Sequence, residues 1–255
     1  MIMAPALVQH SPEIIDSPWN EDHASPSALT QTTSFNPQKH LAYSPPPSMW
    51  TMEDLAHKPT ELSSMAHTEP FPLLSHEGIL AHRREIFSKD VLDNCMHHTR
   101  PGSVQIRGMA PRYAQFIHDF WHSPDVLKIV SDNAGIDLIP VMDYEISHTN
   151  VQLGPGGLDA VRKTPVEPPI ATAKAIAAFE KDRPKPEQRT DQTKPIIEWH
   201  RDSHPFVCVV MLSDARHMVG GETEMECGDG RTDKVKAPQM VSSSIFGRLI
   251  AFVLI

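Results

Sequence analysis

Proline, more than any other residue, limits how this chain folds. There are 24 prolines in 255 residues. They gather at Pro45-Pro46-Pro47, in Pro165-Val166-Glu167-Pro168-Pro169 and at Pro184-Lys185-Pro186. Proline fixes φ and carries no backbone N–H, so each cluster is an extended break that neither a helix nor a central strand can cross. Packed elements must therefore lie between the clusters. The stretch before the first cluster is rich in Ser, Pro, His and Thr and shows no sustained period. Residues 1–55 are expected to be mostly disordered, with short docking pieces such as Met49-Trp50, and residues 56–255 to form the folded domain.

Within that domain the apolar spacing is helical first. A helix is predicted from about His76 to Met96, capped by Ser75, with Glu77 in its first turn and Ile79, Ile86, Phe87, Leu92 and Cys95 on its apolar side. A second runs from about Pro111 to Trp121 and buries Tyr113, Phe116, Ile117 and Phe120. A third runs from Ser123-Pro124 to about Asn133 and ends at Gly135. Strands follow. Asp137 to Gln152 is predicted extended, with Ile136, Leu138, Val141, Tyr144 and Ile146 as core residues. Leu153 to Pro169 is a Gly- and Pro-rich loop, and Ala171 to Lys181 has high helix propensity. Pro205 to Leu212 is a buried strand by its branched residues. Gly220-Gly221 leads through a tight turn into another strand, and Gly228-Asp229-Gly230 is a hairpin turn. Ile245 to Ile255 is apolar and strand-like. Propensity alone therefore says α+β with several strands.

Charge and cysteine narrow the function classes. The net charge is -9, from 23 Lys and Arg against 32 Asp and Glu, and no basic patch occurs. Non-specific nucleic-acid binding needs a cationic surface, so a nucleic-acid partner is not expected. Three widely spaced cysteines, Cys95, Cys208 and Cys227, do not make a disulfide framework, and a reducing, cytoplasmic setting is expected. No secretory signal and no stretch of membrane-spanning length is evident, so no membrane partner is expected. The 15 histidines, including His97-His98, His118 and His122, are expected mainly at the surface.

One segment points to chemistry. In Trp199-His200-Arg201-Asp202-Ser203 the imidazole of His200 and the carboxylate of Asp202 are two residues apart. On an extended segment both point the same way, so one ion can meet both. A neutral imidazole and a carboxylate suit non-haem iron(II), completed by a distant histidine with open positions left for other ligands.

The segment Trp199 to Ser213 resembles the superfamily of iron(II)- and 2-oxoglutarate-dependent dioxygenases, in particular fungal members linked to secondary metabolism. The resemblance extends to Met218-Val219-Gly220-Gly221-Glu222-Thr223, to Gly228-Asp229-Gly230 and to Tyr144 through Gln152, and covers roughly residues 75 to 250. It implies a double-stranded β-helix (jelly roll) core with N-terminal buttressing helices and incomplete last strands, the metal sitting inside one mouth. It implies His200 and Asp202 as ligands of Fe(2+), with Asn150 and Gln152 lining the pocket for the 2-oxoglutarate cofactor. Trp199 would either wall that pocket or pack on the sheet as a buried aromatic, Ser203 and His204 would either contact substrate or face solvent in a loop, and Glu222 would serve a turn. The implied partners are dioxygen and a small organic metabolite, which would be hydroxylated, desaturated or cyclised.

Two positions depart from the family pattern. The distal histidine follows Gly-Arg-x-Ile-x-His, and the matching stretch Gly247-Arg248-Leu249-Ile250-Ala251-Phe252 places Phe252 there. The family's cosubstrate arginine comes later than Ile255. Two readings remain: a C-terminally truncated form of an oxygenase, favoured by the apolar ending Ala251 to Ile255, or a catalytically inactive jelly-roll protein with a binding or structural role.

Overall fold

The computed structural model describes residues 34–100, 102–153, 156–163, 204–213, 223–235 and 242–247. In chain order these form a short helix α1 (Pro37–His40), strands β1 (Met49–Thr51), β2 (Met65–Thr68) and β3 (Phe71–Pro72), and helices α2 (His76–Ile86) and α3 (Lys89–Cys95). Strands β4 (Met96–Arg100) and β5 (Ser103–Ile106), helices α4 (Gln115–His122) and α5 (Pro124–Ala134), a 3₁₀ turn (Asp143–Glu145) and strand β6 (Thr149–Gln152) follow. Helix α6 (Gly157–Lys163) precedes β7 (Phe206–Val210), β8 (Thr223–Glu226), β9 (Thr232–Val235) and β10 (Ser242–Gly247). The described residues divide into two compact units, one holding 34–37, 80–126 and 139–163, the other 38–79, 127–138 and those from 204 on.

The first unit is built on an antiparallel sheet in the order β4-β5-β6. Along β5 burial alternates, with Val104 and Ile106 inward, as the two-residue period of a strand requires. Val104 faces Val151 across the ladder and Gln105 faces Asn150. Helix α4 buries Phe116, Ile117 and Phe120 on one face. Its N-terminal residue Ala114 offers no side-chain cap. The carboxylate of Glu85 supplies one instead, accepting from the backbone N–H groups of Phe116 at 2.9 Å and Ile117 at 3.0 Å. Burial pushes the Glu85 carboxyl above its ordinary value, against the lowering effect of those two bonds.

The second unit carries a five-stranded antiparallel sheet in which β10 pairs with β7, β2 and β3. Its core joins Met52, Leu55, Ala66, Met225 and Cys227, with Val207 and Val209 packed against them. The β8–β9 hairpin belongs to this core because Gly228 lies against the chain at Ala56. A Cβ on Gly228 would stand 2.0 Å from the Ala56 carbonyl oxygen, while its N–H donates to Leu55 O at 2.9 Å. Gly230 closes the turn with φ +83°, a conformation glycine takes without steric cost.

Several local expectations meet the structure directly. Ser75 caps α2, its Oγ accepting from Gly78 N–H at 3.0 Å. Gly135 ends α5 with φ +70°, and β7 and the 228–230 turn lie where expected. Others change. The single helix expected from His76 to Met96 is two, because Ser88 takes extended angles and its side chain caps α3 at Val91 N–H. The helix expected from Pro111 begins at Gln115, after turns that include a cis Ala110–Pro111 bond. Residues 139–142 belong to no strand, and Val141 and Tyr144 are 60% and 50% exposed rather than core; of the five residues expected inside, Ile146 is buried. The loop expected after Leu153 contains α6.

The larger correction concerns the jelly roll and the family assignment that carried it. The α+β class stands, but the double-stranded β-helix does not. That fold requires strands of two facing sheets to enclose one interior. Among the described residues, ten strands of two to six residues fall into three separate antiparallel sheets of five, three and two strands, and none of these closes. The β4–β6 sheet and the β10 sheet also belong to different units. The resemblance read at Trp199 to Ser213 does not carry the family assignment. It is not matched by the closed core that membership in the dioxygenase superfamily demands.

Candidate metal centre

Helix α4 sets up the site. Its apolar residues Phe116, Ile117 and Phe120 commit one face inward, which leaves His118 and His122, four residues apart, together on another. The helix stops at His122 because Ser123 precedes Pro124 and is held extended, at φ -64° and ψ 131°. The two imidazoles stack with ring centroids 4.0 Å apart. His122 Nδ1 lies 2.9 Å from the His118 carbonyl oxygen. A carbonyl only accepts, so His122 Nδ1 carries the proton and Nε2 keeps its lone pair for a ligand role. His118 Nδ1 is buried and has no hydrogen-bond partner among the described residues. The nearest acid, Asp119, stands 3.6 Å away and is itself bonded to Gln115 Nε2 at 2.7 Å.

The third group arrives from a distant segment. Asp143 opens a turn closed by Glu145 N–H to Met142 O and by Ile146 N–H to Asp143 O. The turn is fastened at several points. Gly108 N–H donates to Tyr144 O at 3.0 Å, Glu145 pairs with Arg107, Arg107 lies over the Tyr144 ring, and Ile146 is buried. One donor atom from each of His118, His122 and Asp143 then falls within 4.8 Å of the others. A tetrahedral ion bonded at about 2.05 Å holds its donors about 3.4 Å apart. The Asp143 side chain is exposed and can close that difference by rotation while the His122 bond to His118 O is kept.

Two imidazoles and one carboxylate can coordinate a metal ion. The set is too nitrogen-rich for the hard cations calcium and magnesium, and it lacks the thiolate that soft copper(I) prefers. Three protein donors leave at least one position for water or another ligand.

Close by, His148 has a different character. Its Nδ1 lies 3.8 Å from Glu145, its Nε2 is buried without a partner among the described residues, and burial, then the Arg107 charge, lower its pKa to about 4 against the opposing pull of Glu145. It is a neutral imidazole over most of the pH range.

Of the four site residues expected from sequence, the structure describes Asn150 and Gln152. Asn150 is half-buried on β6 and its Oδ1 accepts from Gln105 Nε2 at 3.0 Å, while Gln152 is exposed at the strand end. His200 and Asp202 lie outside the described residues, as do Trp199, Ser203, Glu222, Arg248 and Phe252. His204 is half-buried. His118 and His122, read from sequence as ordinary surface histidines, are the residues that sequence reasoning passed over. The available signal was their i, i+4 spacing on a helix whose other face is apolar.

No protein-family model matches the sequence, no curated protein is similar to it, and no solved structure matches its fold. The oxygenase activity inferred from resemblance is corrected with the fold. That chemistry needs iron and 2-oxoglutarate inside the mouth of a closed barrel, and the described sheets enclose none. The inactive jelly-roll reading fails for the same reason. No helix among the described residues is long and apolar enough to cross a membrane.

Proposed function

We propose that this protein binds a divalent transition-metal ion through His118, His122 and Asp143, leaving an exchangeable position on the ion. The observation that carries this reading is the convergence of the three donors within 4.8 Å. The buried, unpartnered Nδ1 of His118 supports it, as does the fixed tautomer of His122. Zinc and iron(II) both accept imidazole and carboxylate donors; zinc, without a geometric demand of its own, suits a site that must close by side-chain rotation. 2-Oxoglutarate, dioxygen and an organic substrate followed from the jelly roll and are not carried forward. His200 and Asp202 are proposed as a separate pair of donors on the strength of their His-x-Asp spacing.

The test is calorimetric titration of chelator-treated protein with zinc. One ion should bind, and zinc at about 100 times Kd should raise stability by about 2.7 kcal/mol. Removing a direct donor by His118→Ala, His122→Ala or Asp143→Ala should weaken binding by more than the roughly 10–100-fold typical of losing a supporting partner. A double His200→Ala, Asp202→Ala variant reports on the second pair. Absence of binding, or binding that survives both histidine substitutions, overturns the assignment.

A further inference from the structure

Resting on that metal-binding reading, we infer that Trp121 and Ser147 are positioning residues that join the two segments from which the metal donors come. Trp121 lies between the histidines in sequence, three residues after His118 and next to His122. Its indole Nε1–H donates to Ser147 Oγ at 2.8 Å. Ser147 follows the Asp143–Glu145 turn directly after buried Ile146. The bond therefore ties the helix that carries two donors to the segment that carries the third.

The backbone of Ser147 shows what the hydroxyl is worth. Its φ is +54°, in the left-handed region where a residue with a Cβ crowds the following carbonyl oxygen. Glycine would sit there without that crowding. The conformation is held by Thr149 Oγ1, which donates to Ser147 O at 2.8 Å, and by the indole. A serine in a glycine position is explained by its side chain: the strained residue keeps an oxygen where the Trp121 N–H can reach it.

This makes a prediction opposite in sign to that of a purely structural residue. Ser147→Gly relieves the backbone strain and deletes the anchor. Thermal stability of the metal-free protein should hold or rise, while zinc affinity falls about tenfold, at the lower end of what supporting partners contribute. Trp121→Phe keeps an aromatic ring and deletes only the donor, and should lower affinity similarly. The two losses should not add in the double variant, because each breaks the same bond. Ser147→Asn, which tolerates left-handed angles and retains an acceptor, should recover part of the affinity. Zinc titrations of the full chain with each variant decide the matter. Wild-type binding with Ser147→Gly and Trp121→Phe both within twofold of it overturns the positioning role alone. Wild-type protein that binds no zinc overturns the metal centre and this role together.

Discussion

Replacing His148 with glutamine should remove an acid-sensitive element from the first unit. The pKa of His148 falls from an ordinary 6.5 to about 4, first through burial and second through the Arg107 charge. The fold therefore prefers the neutral ring. Between pH 6.5 and pH 4 the unfolded chain binds a proton at this position that the folded chain refuses. Stability is fully present above pH 6.5 and is lost as pH falls towards 4; below that, both states are protonated and the loss stops. The gap from 6.5 to about 4, at about 1.36 kcal/mol per pH unit, sets an upper value of about 3.4 kcal/mol. The side chain retains 26% exposure, so water screens part of this, and about 2 kcal/mol is the working expectation. The assay is urea unfolding of metal-free protein at intervals from pH 7 to pH 4, for wild type and His148→Gln. The wild-type curve should fall away from the variant's with a slope approaching one proton, at most about 1.4 kcal/mol per pH unit. An NMR titration of the His148 ring should place its midpoint near pH 4. Parallel stability profiles, or a ring that titrates near 6.5, would refute the buried neutral imidazole.

Glu85→Ala should cost about 2 kcal/mol in chemical denaturation, because it uncaps two N–H groups at the start of α4 that Ala114 does not satisfy. Glu85→Gln, which keeps an acceptor oxygen, should cost less, and equal losses for the two variants would count against the capping role. Gly228→Ala should destabilise the second unit by about 2 kcal/mol or more, since the new methyl would meet the Ala56 carbonyl oxygen and the backbone on both sides is held. Hydrogen exchange at the Gly228 amide, bonded to Leu55, should quicken in that variant; unchanged protection would show that the hairpin yields without loss.

What the sequence determined by itself was local. Ser75 before an apolar period starts α2, Pro124 ends α4 and opens α5, Gly135 stops α5, and the run from Phe206 to Val210 makes β7. Each follows from dihedral limits, caps or branched side chains acting over a few residues. The fold of the sheets was not legible there. A strand's pattern says which face is buried but does not name its partner, so the residues around His200 and Asp202 could not specify a closed barrel. The hydrophobic run from Ile136 to Ile146 looked like core, yet its backbone bends into the turn at Asp143 and only Ile146 goes inside, leaving Tyr144 half exposed beneath Arg107. The candidate centre shows the same division. The spacing of His118 and His122 was written in α4, but Asp143 reaches them through contacts at Gly108, Arg107 and Trp121, between residues far apart in the chain. Proximity of that kind comes from packing, and packing is decided by the tertiary structure.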